Sequence, residues 1–339
     1  MKVSQEYIKR ADSILSSEIM RADFDSLKGS GIRIDDAYSG YALAKELESF
    51  DNRVLMVLRE EMRYGQAIPV NTSACTPGAA TYAWGQKDHA GKMSKIGDSG
   101  LDLPTVDVTR GDFNYRNTHY GSAMSITTKD IRAAALMGKP LEQDKADAIR
   151  IAYNQTCQDL ALTGDSDDSK YGLFNTTTVT PTVASTADAG GTTFANKTGQ
   201  EMYDDITDMI SSVIQATKNA AMPNTILMPL AQLELIKKTS VATDFRGEQR
   251  VINAVKSVYD VEFMSFTELE DSYTDASGNT YDQMVCYRRN PMDLEFLIGM
   301  PLTRRPGQWK GLTYVVPYEA ELVGTVIRRP VTMSRVYGI

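Results

Sequence analysis

The distribution of apolar and polar residues predicts a long helix at 140–163 more clearly than any other element. Small and apolar residues recur there at spacings of three, four and seven, namely Leu141, Ala148, Ile149, Ala152, Thr156 and Leu160. Pro140 suits the first turn of a helix and Gly164 suits its end. At a rise of 1.5 Å per residue the helix would be about 36 Å long, so it could act as a spine.

The stretch between 199 and 300 has a different pattern, because helical and strand-like segments alternate along it. Helices are predicted at 200–219, 231–239 and 250–257, and strands at 224–229, 260–266, 283–288 and 294–299. Such alternation is typical of an α/β unit. Farther on, every second residue over 312–322 is apolar, which predicts β-strands from 301 to the end. Pro317 interrupts this pattern and favours an edge strand or a bulge.

The first third of the chain follows neither pattern. Residues 1–53 hold too few apolar positions for a core of their own, so they are expected to lie as an arm on the rest of the chain or on a neighbour. Within 54–112, the stretch 71–112 is polar and rich in glycine. Because loops of this length are uncommon in compact domains, we interpret 71–112 as a hairpin that projects from the body.

The charge balance argues against a general nucleic-acid binder. The chain has 44 acidic and 36 basic residues and a formal net charge of −8, whereas affinity for phosphate comes from clustered Lys and Arg. Its cysteines, Cys75, Cys157 and Cys286, are far apart and odd in number, which predicts free thiols in a reducing compartment. No secretory signal and no membrane span is expected, since no apolar run of about 18 residues occurs.

Residues that could carry catalysis or bind a metal are sparse. His89 and His119 have no partners at metal-ligand spacing. Gly85 and Gly91 are separated by too many residues for a phosphate-binding loop, and Lys92 is not followed by Ser or Thr. The sequence also has no GxSxG motif. We therefore predict that the protein is not an enzyme and has no metal site and no cofactor.

The order of these parts carries a resemblance. The segment DLALTGDSDDSKYGLFN at 159–175 is similar to a pattern of helix, Gly-Asp, short gap and Gly-Leu-x-Asn. Residues 101–148 look like a hairpin return followed by a short helix, and ELVGTVIRRPVTMSRVYGI at 321–339 resembles a set of closing strands. From about 54 to 339, the chain thereby resembles the major capsid proteins of tailed bacteriophages, which have the Johnson, or Hong Kong 97-type, fold.

This resemblance implies an α+β fold with a defined division of the chain. The implied parts are an N-terminal arm (1–53), an E-loop with its base (54–112), a peripheral domain (113–198) with the spine helix at 140–163, an axial domain (199–300) and the closing strands of the peripheral domain (301–339). The E-loop would reach over a neighbouring subunit, and the axial domain would cluster around the symmetry axes.

The resemblance also implies a function. A major capsid protein assembles with itself as hexamers and pentamers into an icosahedral shell around double-stranded DNA, which it does not bind sequence-specifically. Scaffolding, portal and decoration proteins are further partners in the family. The implied location is the virion capsid, assembled in the cytoplasm of a bacterial host. The acidic net charge of −8 agrees, because a packaged genome must slide along the shell.

Candidate assembly residues lie in the predicted hairpin. Trp84 would be a large apolar side chain at a loop tip, where either a partner surface or local packing must cover it. Lys87, Lys92 and Lys95 are candidates, by location alone, for the Lys–Asn crosslink that some family members form. The sequence identifies neither the Asn nor the assisting Glu.

A second pair of candidates lies near the end of the chain. Arg328 and Arg329 are adjacent in a predicted strand, where side chains alternate between faces. At least one is therefore expected to face outward and to contact a neighbouring subunit.

Other classes of protein remain open at this point. An encapsulin-like compartment shell would share the fold and would differ by enclosing enzyme cargo. A soluble α/β enzyme would show titratable groups converging on a pocket, and the sequence offers no such group. A decoration or tail protein agrees poorly with the spine helix and the α/β unit.

Overall fold

The computed structural model describes most of the chain after the predicted arm. The described residues are 61–93, 95, 105–137, 141–243, 247–275 and 277–339. The predicted arm at 1–53 lies outside them, as do residues 54–60 and most of the far end of the predicted hairpin.

The helices in this part of the chain agree closely with the hydrophobic pattern. The α-helices are α1 (Tyr64–Ala67), α2 (Thr128–Met137), α3 (Leu141–Leu162), α4 (Gly199–Ala216), α5 (Leu230–Lys238) and α6 (Val251–Val258). Short 3-10 helices occur at Phe194–Asn196, Thr267–Leu269 and Pro330–Thr332. Helix α3 corresponds to the long helix that the sequence predicts at 140–163.

The strands divide between two main sheets and several two-stranded pairs. In the first half of the chain they are β1 (Val70–Asn71), β2 (Thr81–Ala90), β3 (Asp107–Arg116), β4 (Thr118–Thr127), β5 (Gly164–Asp165), β6 (Lys170–Tyr171) and β7 (Thr182–Val183). In the second half they are β8 (Thr225–Met228), β9 (Ser240–Thr243), β10 (Gly247–Arg250), β11 (Glu262–Ser265), β12 (Tyr273–Thr274), β13 (Thr280–Tyr281), β14 (Gln283–Tyr287), β15 (Leu294–Arg304), β16 (Gln308–Lys310), β17 (Thr313–Ile327) and β18 (Met333–Tyr337).

The first main sheet is built around the long strand β17. On one side β17 pairs antiparallel with β4, and on the other side it pairs first with β16 and then with β15. Pro317 therefore does not lie on an edge strand. Its carbonyl accepts a hydrogen bond from the Arg305 amide at 2.9 Å. The Pro317 nitrogen, which has no hydrogen to donate, faces the same side, at the gap between β15 and β16. A proline is tolerated there because the ladder needs no donor.

Helix α3 packs on this sheet, and carbonyls of its last turn are bonded to residues outside the helix. The last carbonyls of a helix have no partner within the helix. Here the Ala161 carbonyl accepts hydrogen bonds from the Thr325 hydroxyl at 2.8 Å and the Leu173 amide at 3.1 Å. The Leu162 carbonyl accepts one from the Phe174 amide at 2.9 Å. The spine is thus fixed to β17 and to the chain that follows it.

The second main sheet has the order β11-β8-β14-β18-β7, and its strands β8 and β14 are buried on both faces. Ile226 and Met228 of β8 belong to the apolar cluster formed with helices α4 to α6. Leu227, between them, belongs to a second cluster that includes Leu160 of α3 and Phe296 of β15. Alternate residues of one strand therefore join two cores, which explains why β8 reads as an unbroken apolar run.

Side-chain hydrogen bonds fix the start of helix α4 and hold the last strand in place. Thr198 and Glu201 form a capping box at the start of α4, as each side chain bonds to the backbone amide of the other. The final strand, β18, pairs with β14 in the second sheet. Its Arg335 is buried and donates to Gln283 at 2.8 Å and to the Thr176 carbonyl at 2.7 Å. Burial lowers the pKa of Arg335 to about 10.

The turn after α3 is packed tightly around Gly164, and Gly190 provides a comparison in open space. A Cβ at Gly164 (φ +79°) would lie 2.2 Å from the Lys170 carbonyl oxygen, whereas one at Gly190 (φ +87°) would meet no atom within 4 Å. We expect Gly190→Ala to cost about 1 kcal/mol, from backbone strain alone. Gly164→Ala should cost more than about 3 kcal/mol, because the clash is with backbone. Urea unfolding measures both, and equal losses would contradict the packing described.

Candidate assembly surfaces

Strands β2 and β3 form an antiparallel ribbon whose outer part is uncovered. The register runs from Thr81 opposite Arg116 to Ala90 opposite Asp107. Every residue of 85–89 and of 107–114 is exposed. Both faces of the outer ribbon are therefore available to a partner. A partner would also stabilise the ribbon, because an isolated two-stranded ribbon is marginal in water.

The base of the ribbon is packed against the first sheet. A small apolar cluster there consists of Cys75, Leu297, Val323 and Val326, and the side chains of Ala79, Tyr82, Trp84 and Tyr115 pack on it. This cluster fixes the direction in which the ribbon leaves the body.

Trp84 belongs to this base and not to a loop tip. Its ring is partly buried and stacks on Phe113 with the centroids 4.7 Å apart and the planes 17° apart. The expectation of an exposed tip residue is therefore wrong, because the strand continues for several residues beyond Trp84. Its role in a contact with another subunit stays a prediction.

Two carboxylates tie the ends of the ribbon to the body. Glu321 of β17 accepts hydrogen bonds from the Gly78 amide at 2.9 Å and from the Asn117 side chain at 2.8 Å. Asp168 accepts a short hydrogen bond from the Thr118 hydroxyl and forms an ion pair with Arg116 at 3.1 Å. The hydrogen bond from Thr118, followed by Arg116, lowers the pKa of Asp168.

The three candidate lysines all lie on the outer ribbon or beyond it. Lys87 is exposed and lies opposite Arg110 in the register. Lys92 and Lys95 follow the end of β2 and are also exposed. They are accessible to a neighbouring chain, and their part in an assembly contact or a crosslink stays a prediction.

Arg328 faces the inside of the subunit. Its guanidinium donates to Glu295 at 2.9 Å, to the Tyr82 hydroxyl at 3.1 Å and to the Pro291 carbonyl at 2.7 Å. Only 18% of its side chain is exposed, and 8% of that of Glu295. Burial acts to lower the pKa of Arg328, yet the bonds to Tyr82 and Glu295 raise it overall. Arg328 is therefore the inward member of the pair, and its part in an assembly contact stays a prediction.

Arg329 is the outward member of the pair. Its side chain is 58% exposed and its guanidinium lies 3.1 Å from the buried carboxylate of Asp293. Asp293 also binds Arg288 at 2.5 Å and accepts the Arg328 amide at its carbonyl. Arg329 can thus reach a neighbouring chain, and that contact stays a prediction.

Sequence reasoning missed the acidic partners of these arginines. Glu295 lies in the apolar run LEFLIG and Asp293 comes just before it. A charged residue inside a buried strand is the signal that would have indicated a paired charge. Glu295 and Asp293 precede their arginines by 33 and 36 residues, and Tyr82, the third group on Arg328, is 246 residues away from it.

Other kinds of site receive no support in the part of the chain that the structure describes. No group of three or more His, Cys, Asp or Glu side chains is arranged to hold a metal ion among the described residues. None of the described helices is both long and apolar enough to cross a membrane.

The comparisons with known proteins define the class. The fold is similar to the capsid of Myoviridae phage XM1, with a TM-score of 0.72 and 18% identity over 87% of this chain and 98% of that chain. It is also similar to a structure from Mycobacterium phage Bobi (TM-score 0.57, 12% identity, 87% and 96% covered). The capsid of a native GTA particle gives a TM-score of 0.56 at 12% identity, with 86% and 94% covered. A comparison with curated proteins finds no match.

The fold is therefore that of phage capsid shells, the Hong Kong 97-type α+β fold that the sequence predicts. The family model described as major capsid protein matches residues 91–339, so the chain belongs to the major capsid protein family. It is a structural subunit of a tailed-phage capsid, it assembles with itself, and it lies in the shell of the virion.

The two arginines make a matched pair of variants. Arg328→Gln should lower the free energy of unfolding by about 3 kcal/mol, because Glu295 stays buried without its ion pair. Arg329→Gln should cost less than about 1 kcal/mol, because the pair is exposed on the arginine side and Asp293 keeps Arg288.

Chemical unfolding of the free subunit measures both values, and the yield of assembled particles is followed in parallel. An Arg328 variant as stable as the parent would contradict the buried network. If Arg329→Glu weakens assembly more than stability, Arg329 lies at a contact between subunits.

Proposed function

We propose that this subunit assembles as hexamers and pentamers into an icosahedral shell that encloses double-stranded DNA. Assembly takes place in the cytoplasm of the bacterial host, and scaffolding, portal and decoration proteins are the further partners. The subunit has no catalytic role in this proposal. The family match at 91–339 and the similarity to capsid structures support it.

The uncovered outer ribbon carries this proposal. Its residues at 85–89 and 107–114 are exposed on both faces. Exposed apolar side chains continue toward its tip at Met93, Val106 and Val108, which are 95%, 65% and 41% exposed. A ribbon with both faces in water gains stability when another surface covers it. A neighbouring copy of the chain would provide that surface in a shell.

We further propose that the ribbon is the E-loop of the 54–112 segment and that α3 is the spine of a peripheral domain. The axial domain at 199–300 is supported by the cluster between α4, α5, α6 and the second sheet. Strand β18 also contributes Val336 to this cluster, although it lies in the closing segment at 301–339.

Electron microscopy and light scattering of the purified chain test the proposal directly. We expect uniform shells, or rings of five and six subunits, because the proposed shell is built from copies of this chain. Strictly monomeric protein at every salt and protein concentration would contradict spontaneous assembly. Enzyme cargo inside the shells would favour an encapsulin-like compartment, whereas nuclease-protected DNA in particles from infected cells would favour a phage capsid.

A shortened ribbon separates folding from assembly. Deleting 76–100 would remove Tyr82 and Trp84 and so damage the apolar cluster at the base. Replacing 87–110 with Asn-Gly instead leaves Gln86 opposite Gly111, a pair that a two-residue turn can close. We expect this variant to keep its melting temperature and to lose stable shells. Loss of the folded subunit would contradict a role confined to assembly, and normal shells would contradict the role itself.

A further inference from the structure

Two arginine pairs that are far apart in sequence lie side by side in the fold. One belongs to the segment RRNP that begins at Arg288, and the other to the segment RRP that begins at Arg328. The Arg288 amide donates to the Thr332 carbonyl at 3.2 Å, and the Arg328 amide donates to the Asp293 carbonyl at 2.7 Å. The two stretches, RRNP and RRP, are referred to below as the arginine segments.

A single buried carboxylate joins the two arginine segments. The side chain of Asp293 is fully buried, and its two oxygens bind different segments. One oxygen accepts a hydrogen bond from Arg288 Nε at 2.5 Å, and the other lies 3.1 Å from Arg329 Nη1. Each segment also ends in a proline, whose ring restricts the backbone. The arginines are therefore held in a fixed arrangement before any partner arrives.

The arginine segments carry more positive charge than the subunit neutralises. Their four guanidinium groups share two carboxylates, those of Asp293 and Glu295. Arg289 forms no ion pair with any carboxylate of the described residues, and its Nη2 donates only to the Gly65 carbonyl at 3.4 Å. Two positive charges are thus left without a partner of opposite charge in the described part of the subunit.

Several donors of these arginines point to solvent. Arg329 is 58% exposed, and within the described residues its guanidinium bonds only through Nη1. Arg289 is partly exposed, and its Nε and Nη1 have no partner among those residues. The guanidinium group is planar and presents paired N–H donors that match the oxygens of a phosphate. All four cations of the segments are arginines and none is a lysine, which favours phosphate recognition over a simple charge contact.

We propose that the arginine segments bind phosphate groups of the enclosed double-stranded DNA. The inference rests on the proposed shell function, in which DNA is the polyanion inside the particle, and it assigns this face of the subunit to the interior. A chain with a net charge of −8 repels DNA over most of its surface. The contact is then limited to a few phosphates. It is weak, independent of base sequence and sensitive to salt, so the genome can still move along the shell.

Binding of a short fluorescent DNA duplex to the purified subunit, followed by anisotropy at several salt concentrations, tests the proposal. The double variant Arg289→Gln with Arg329→Gln should weaken binding at least about tenfold. It should also reduce the slope of log K against log salt by about 2, because each lost phosphate contact removes about 0.9. Arg304→Gln is the matched control, since Arg304 is 53% exposed and has one ion pair, with Glu142. The control should leave affinity and slope unchanged.

A second double variant separates charge from structure. Arg289→Lys with Arg329→Lys keeps both charges but loses the planar donors. We expect it to retain the salt slope of the parent while binding the duplex more weakly. Circular dichroism and urea unfolding should show that all variants keep the fold, because both replaced side chains are open to solvent.

Four results would overturn the inference. They are no duplex binding by the parent, unchanged binding by the Gln double variant, equal weakening by Arg304→Gln, and a Lys variant whose salt slope falls as far as that of the Gln variant. Displacement of the duplex by polyglutamate at an equal concentration of charge would also overturn it, in favour of an acidic protein surface. Duplex binding by the free subunit does not require assembly. Absence of shells in electron microscopy would therefore count separately, against the shell function.

Discussion

The first main sheet depends above all on strand β17, because helix α3 and the ribbon are both attached to it. Its first residues include Tyr314, which packs on a buried apolar cluster, and Glu321 bonds to the start of the ribbon at Gly78. Farther along, Val323 lies in the cluster beneath the ribbon, and Thr325 bonds to the last turn of α3. A single rigid strand thus sets the relative positions of the spine and the ribbon.

The charged side chains include buried ion pairs within the subunit and exposed lysines on its surface. Glu295 and Asp293 are buried carboxylates, and they hold the two arginines that follow β17. Burying a charge is unfavourable unless it is paired and hydrogen-bonded, so these pairs specify one arrangement of the chain. The exposed lysines of the ribbon have no such constraint. They are free to respond to a partner, and salt should weaken those contacts.

Local patterns predicted the parts of the fold whose stabilising contacts are close in sequence. Helix α3 and the alternation from 199 to 300 follow from spacing within single elements, which the sequence contains directly. The inward turn of Arg328 does not, because it depends on Glu295 and Tyr82 in distant segments. Trp84 was placed at a tip because sequence pattern does not give strand register, and register determines which residues reach the base.

The most direct test of this account is a cryo-electron microscopy reconstruction of the assembled particle. The account predicts that a neighbouring subunit covers at least one face of the ribbon at 85–89 and 107–114 in every copy. A shell in which both faces of the ribbon remain in solvent would contradict it, since the ribbon would then contribute nothing to assembly.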